Sequence, residues 1–139
     1  MSLRVTLITL AALAFPASAQ SPAIKRVPAR YTAPTSGSEM YHAYCASCHG
    51  AKGLGDGPVA PHLKSAVPDL SALAKQNQGV FPKDRVAQII QGGGDLKSHG
   101  LQDMPVWGPV FLSLNHSQDA MVQIRVANLT KYIASIQAK

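Results

Sequence analysis

Apolar positions along this chain recur at helical spacing, and no segment alternates as a strand does. The clearest case runs from Ser117 to Gln137. There Val122, Val126, Leu129, Ile133 and Ile136 repeat at steps of four, three, four and three, a narrow stripe flanked by Tyr132. Ser117 is placed to cap this helix, and Asp119 lies in its first turn, where negative charge suits the dipole. A second helix follows Phe81-Pro82, with Val86, Ile89 and Ile90 on one face and Gly92-Gly93-Gly94 as its stop. A short one is expected from Pro68 to Gln76, capped by Asp69, with Leu70 and Leu73 inward. Another spans Ser38 to Tyr44. Gly37, Tyr41 and Cys45 are four residues apart and share its face, and a glycine there lets a second helix come close. The pattern predicts an all-α fold.

The segments between these helices differ in kind. Gly50 to Pro58 holds four glycines in nine residues and reads as a loop. It lacks the Lys-Ser/Thr ending and the preceding strand of a phosphate cradle, which excludes nucleotide binding by that route. Gly92 to Asn115 reads as a long irregular stretch containing Met104. Gln20 to Ser36, with Pro22, Pro28 and Pro34, reads as an extended arm or flexible tail. Residues 1–19 carry Arg4, an apolar run from Val5 to Phe15, and Ala17-Ser18-Ala19. That is the pattern of an export signal cut before Gln20, and it predicts a periplasmic location. The remaining region, 37–139, is one domain.

Composition narrows the partners. The chain has 139 residues and a formal net charge of +6. Its basic residues are scattered, which speaks against nucleic acid and leaves two readings: a face for acidic redox proteins, or a solvated surface.

The chemistry lies in Cys45-Ala46-Ser47-Cys48-His49. This is the attachment pattern of c-type haem. Two thiols three residues apart lie on one helical turn, where each can add to a vinyl group of the haem. The following histidine then projects at the iron from the same side. A redox disulfide uses the same spacing but lacks a thioredoxin-like βαβ setting here. A zinc site needs two histidines as well, and none of His42, His62, His99 and His116 forms the usual pair. Met104, before Pro105 in a Gly- and Pro-rich segment, is the leading candidate for the sixth ligand, a soft thioether that raises the potential. His99 is its rival, and plain core packing of Met104 is the alternative. The carbonyl of Pro58 or Pro61 is expected to hold the second nitrogen of His49. With no internal repeat, one haem is expected.

Four stretches together resemble class I cytochrome c, of the small bacterial periplasmic type: Gly37-x3-Tyr41-x3-Cys45, the attachment motif, Met104-Pro105, and Leu129-x2-Tyr132-Ile133. The resemblance implies first and last helices crossing near Gly37 and Tyr41 against Leu129 and Tyr132. It implies His49 and Met104 as axial ligands, a haem edge open to redox partners, and Trp107 packed near the haem. It implies a non-enzymatic one-electron carrier, a monomer when alone. Two other readings stay open: a dedicated subunit of a dehydrogenase or oxidase, including a membrane-associated complex, and a haem enzyme or gas sensor with an open sixth site.

Overall fold

The computed structural model describes residues 28–93, 104–115 and 118–138. Among them there are six α-helices and no strand, as the apolar periodicity requires. Helix α1 is Gly37–Tyr44, and α2 is Ala46–His49. A 3₁₀ turn at Ala60–His62 and another at Leu70–Ala72 precede α3, Leu73–Gln76. Then come α4 (Lys83–Gln91), α5 (Trp107–Leu114) and α6 (Asp119–Ser135). None of the described helices is long and apolar enough to cross a membrane.

Local chemistry sets the boundaries. The Ser36 hydroxyl accepts a hydrogen bond from Glu39 N at 3.2 Å, and the Glu39 carboxylate accepts from Ala33 N at 3.3 Å. Together they satisfy donors that the start of α1 would otherwise leave unpaired. Asp69 accepts from Ser71 N at 2.8 Å, the cap expected there. Gly92 closes α4 at φ +92°, where a β-carbon would be strained. Helix α6 starts from Gln118 without a side-chain cap bond, and Ser117 lies outside the described residues.

Helix α6 is the spine. It packs against α1, α4 and α5 through Val122, Val126, Leu129 and Ile133, the stripe read from the sequence. Ile136 packs on this core from just beyond the helix end. The crossing with α1 lies at Gly37. A β-carbon there would stand 2.2 Å from the Asn128 carbonyl oxygen and 2.9 Å from Tyr132 Cβ. One step further along, the Tyr41 and Tyr132 rings meet at 5.1 Å. The expected crossing of first and last helices is therefore present, and the fold is that of a small cytochrome c.

Helix α5 corrects the expectation of an irregular stretch up to Asn115. Its Gly108 and Pro109 look like loop residues but serve the helix. Pro109 sits in the first turn, where backbone N–H groups have no helical partner to lose. Gly108 lies against the end of α4, where a β-carbon would come within 2.6 Å of the Gln91 carbonyl oxygen. The arm is also tied down where it is described. Thr32 is 1% exposed, and the Tyr44 hydroxyl donates to the Arg30 carbonyl at 2.6 Å. Residues 20–27 of the arm and the whole of 1–19 lie outside the described residues.

Replacing Gly37 with alanine should force the two helices apart. The expected loss is about 1–3 kcal/mol of stability, read as a lower urea midpoint. A midpoint equal to wild type would show that the crossing is not tight.

Candidate functional site

Helix α1 passes into α2 almost without a break, and this sets the geometry of the motif. Cys45 N donates to Tyr41 O at 2.9 Å, and His49 N donates to Cys45 O at 2.9 Å. Cys45, Cys48 and His49 are thus held on consecutive helical backbone. Cys45 and His49 are buried, Cys48 is half-buried, and the two thiols are not bonded to each other. The glycine loop folds back on the motif from behind. Gly55 N donates to His49 O at 2.9 Å, Gly57 N to Cys48 O at 3.1 Å, and Val59 N to Ser47 O at 2.9 Å. The Tyr41 hydroxyl donates to Gly50 O at 2.8 Å, pinning the motif's end to α1.

The partner of His49 is Pro68, not Pro58 or Pro61. Its Nδ1 donates to the Pro68 carbonyl at 3.3 Å. The reason is the path of the chain. The loop through Pro58 is bound to the motif's backbone, and Pro58 and Pro61 both stay exposed at the surface. Only after the turn at Ala60–His62 does the chain come round to the imidazole. Burial pulls the His49 pKa down, and the bond to Pro68 opposes this in part. The ring is therefore neutral near pH 7, with Nδ1–H committed and the Nε2 lone pair left for a metal. Burial, reinforced by the neighbouring Cys48, pushes the Cys45 thiol up to about 12. At neutral pH it is a thiol, not a thiolate.

A cavity of about 480 Å³ opens in front of these groups. Its walls include Cys45, His49, Ile90, Met104, Trp107 and Ile133. A smaller pocket continuous with it adds Tyr44, Cys48, Leu63 and Val67. The volume falls in the range of cofactor sites, roughly 300–1,000 Å³. The donor set fits a porphyrin iron: two thiols for covalent attachment, a neutral imidazole and a thioether. Among the described residues, no three His, Cys, Asp or Glu side chains cluster to hold a metal ion by themselves.

Met104 lines both parts of the cavity together with Cys45 and His49, so the chain brings the leading candidates together. His99, the rival, lies outside the described residues. Trp107 is in the cavity wall and stacks on Tyr44 at 5.0 Å and Phe111 at 5.8 Å. Sequence reasoning missed three contributors. Tyr44 precedes the motif and could have been noticed as the last residue of its helix. Arg85 lines the cavity from α4 and carries no local signal. The Pro68 carbonyl is a backbone group brought in by the path of the chain.

The family model described as cytochrome C oxidase, cbb3-type, subunit III, matches residues 32–121. The chain belongs to this family. No curated protein and no solved structure matches it. The match begins at the buried Thr32 and runs through α5 into the start of α6. Membership makes the chain a c-type cytochrome and its chemistry haem-based electron transfer. In this cytochrome domain the family implies haem c held through cysteines, and the two cysteines of the sequence line the cavity.

Gly57 gives a direct check on how the loop supports the motif. A β-carbon there would lie 2.4 Å from Ser47 O and 2.6 Å from Cys48 O. Gly57→Ala should lower the yield of haem-bearing protein several-fold and reduce the melting temperature. A normal haem stain and an unchanged melt would show that the motif does not depend on this contact.

Proposed function

We propose that this cytochrome carries one haem c, bonded through Cys45 and Cys48, with His49 and Met104 as axial ligands. It passes single electrons between redox proteins in the periplasm. The observation that carries the reading is the gathering of both cysteines, the imidazole and the Met104 side chain around one apolar cavity.

When bound, the haem supplies a one-electron couple between ferric and ferrous iron. The chain's residues do the rest. Cys45 and Cys48 would hold the haem by thioether bonds, each thiol adding its sulfur and its hydrogen across one vinyl group. No oxidant is consumed. His49 offers Nε2 while Pro68 fixes its tautomer. Met104 closes the opposite face and, being soft, favours the ferrous state. If His49 and Met104 both bind the iron, substrate would have no open position there, which favours a carrier over an enzyme. Leu70, Val86, Ile90 and Ile133 line the cavity with apolar surface. The pattern of residues 1–19 supports export before use, and the formal charge of +5 left once Arg4 is removed (6 − 1) suits acidic partners.

A second reading, a subunit of an oxidase complex, is favoured by the family to which residues 32–121 match, a subunit of cbb3-type oxidases. Size-exclusion of the natively purified protein separates the two. A monomer supports the free carrier, and co-elution with a membrane oxidase supports the subunit.

Met104→Ala should leave haem attached, lower the potential, abolish the weak far-red ferric band and admit carbon monoxide to the ferrous iron. An unchanged potential and no carbon monoxide adduct would remove Met104 from the iron. Cys48→Ser should leave at most one thioether, seen as a shifted pyridine haemochrome band. A colourless wild-type protein with both thiols reactive would overturn the haem assignment itself.

A further inference from the structure

Arg125 is the largest fully buried side chain described, at 0% exposure, and no carboxylate pairs with it among the described residues. It lies on the same helix as the apolar stripe. Its Nη1 donates to Thr32 Oγ1 at 3.0 Å, and its Nη2 donates to Thr32 O at 2.8 Å and to Asn115 Oδ1 at 3.4 Å. Its Nε has no partner among the described residues. The remaining contacts are aromatic. The guanidinium carbon stands 5.7 Å from the Phe111 ring centre and 5.2 Å from that of Tyr31.

Every one of these partners is neutral. Dipoles and ring faces compensate for lost water, but they do not cancel a net charge. The position of that charge gives it a target. Phe111 packs on Trp107 at 5.8 Å and on Tyr44 at 5.7 Å, and both of those rings form the cavity wall. The fully buried guanidinium thus stands two ring layers behind the cavity, and through Thr32 Oγ1 it is two hydrogen bonds from the Tyr44 hydroxyl.

We propose that Arg125 is a fixed internal cation that raises the reduction potential of the iron. This rests on the haem reading above. Losing an electron adds a positive charge to the cavity, and a buried cation nearby disfavours that state. At an effective dielectric near 20, a unit charge would shift a one-electron equilibrium about tenfold if it lay about 12 Å from the iron. For one electron that corresponds to about 59 mV. The same side chain also clamps the arm at Thr32, so the test must separate charge from clamping.

The haem-loaded full-length protein is titrated spectroelectrochemically as wild type, Arg125→Met, Arg125→Lys and Asn115→Asp, each with a melting curve. Asn115→Asp sets a carboxylate where the amide oxygen already accepts from Arg125, neutralising the charge while the bonds to Thr32 stay; the melting curve reads the loss of the amide's donation to the Phe111 carbonyl. It should lower the potential by about tenfold in the equilibrium, and Arg125→Met should do the same. Arg125→Lys should stay near the wild-type potential even if its melting temperature falls. If Arg125→Met does not fold, Asn115→Asp decides. An unmoved potential in Asn115→Asp, or a lysine variant that drops as far as methionine, overturns the inference while leaving the haem reading intact. A wild type without bound haem overturns both.

Discussion

The backbones of α1 and α6 meet at Gly37 with no side chain between them, and the position of the site depends on that contact. Helix α1 is only eight residues long, so it could not hold its own conformation in water. Burial of Met40, Tyr41 and Tyr44 against α6 gives it one. Because α1 runs directly into Cys45, the orientation of the motif follows from the orientation of that crossing. The Tyr41 hydroxyl extends the constraint past the motif to Gly50, from where the loop returns to hold Ser47, Cys48 and His49 by their carbonyls. The chemistry-bearing residues are thus fixed from behind, and their side chains are left to face the cavity.

That arrangement explains which parts of the molecule were legible in the sequence. The stripe of α6, the faces of α1 and α4 and the cap at Asp69 are local, and local spacing shows them. Helix α5 was hidden because Gly108 and Pro109 act as loop residues by propensity, and only contact with α4 shows why they suit a helix. The Pro68 carbonyl could not be read because backbone oxygens have no sequence signature; proximity along the chain pointed to Pro58 and Pro61. Arg125 was hidden for a different reason. Periodicity assigns charged residues to the solvent face, and the adjoining Val126 gave no hint that its neighbour is equally buried. What makes the guanidinium acceptable inside is the Thr32 backbone and the rings of Tyr31 and Phe111, all distant in sequence.

The site combines neutral groups in an apolar chamber. Burial keeps His49 neutral, with a single ring proton, and Cys45 as a thiol, and both effects have the same origin, the cost of a charge in low dielectric. For an imidazole this frees the lone pair a metal needs. For a thiol it suppresses stray oxidation, since the thiolate is the reactive form. The same low dielectric that quiets these groups lengthens the reach of any charge that does remain inside, and Arg125 is such a charge.

The arm joins these two halves of the molecule. Thr32 receives Arg125 on one side and shares a hydroxyl–hydroxyl bond of 2.9 Å with Tyr44 on the other. Tyr44 in turn lines the cavity beside Cys45 and Cys48. A segment that composition alone marks as an extended tail is therefore, at Arg30 to Thr32, part of the wall's support. Its proline content suits that role: residues with few unfolded conformations lose little entropy on being pinned. The contacts that hold the wall thus begin at Arg30, ahead of Gly37, and they use backbone carbonyls and one small hydroxyl instead of an apolar face.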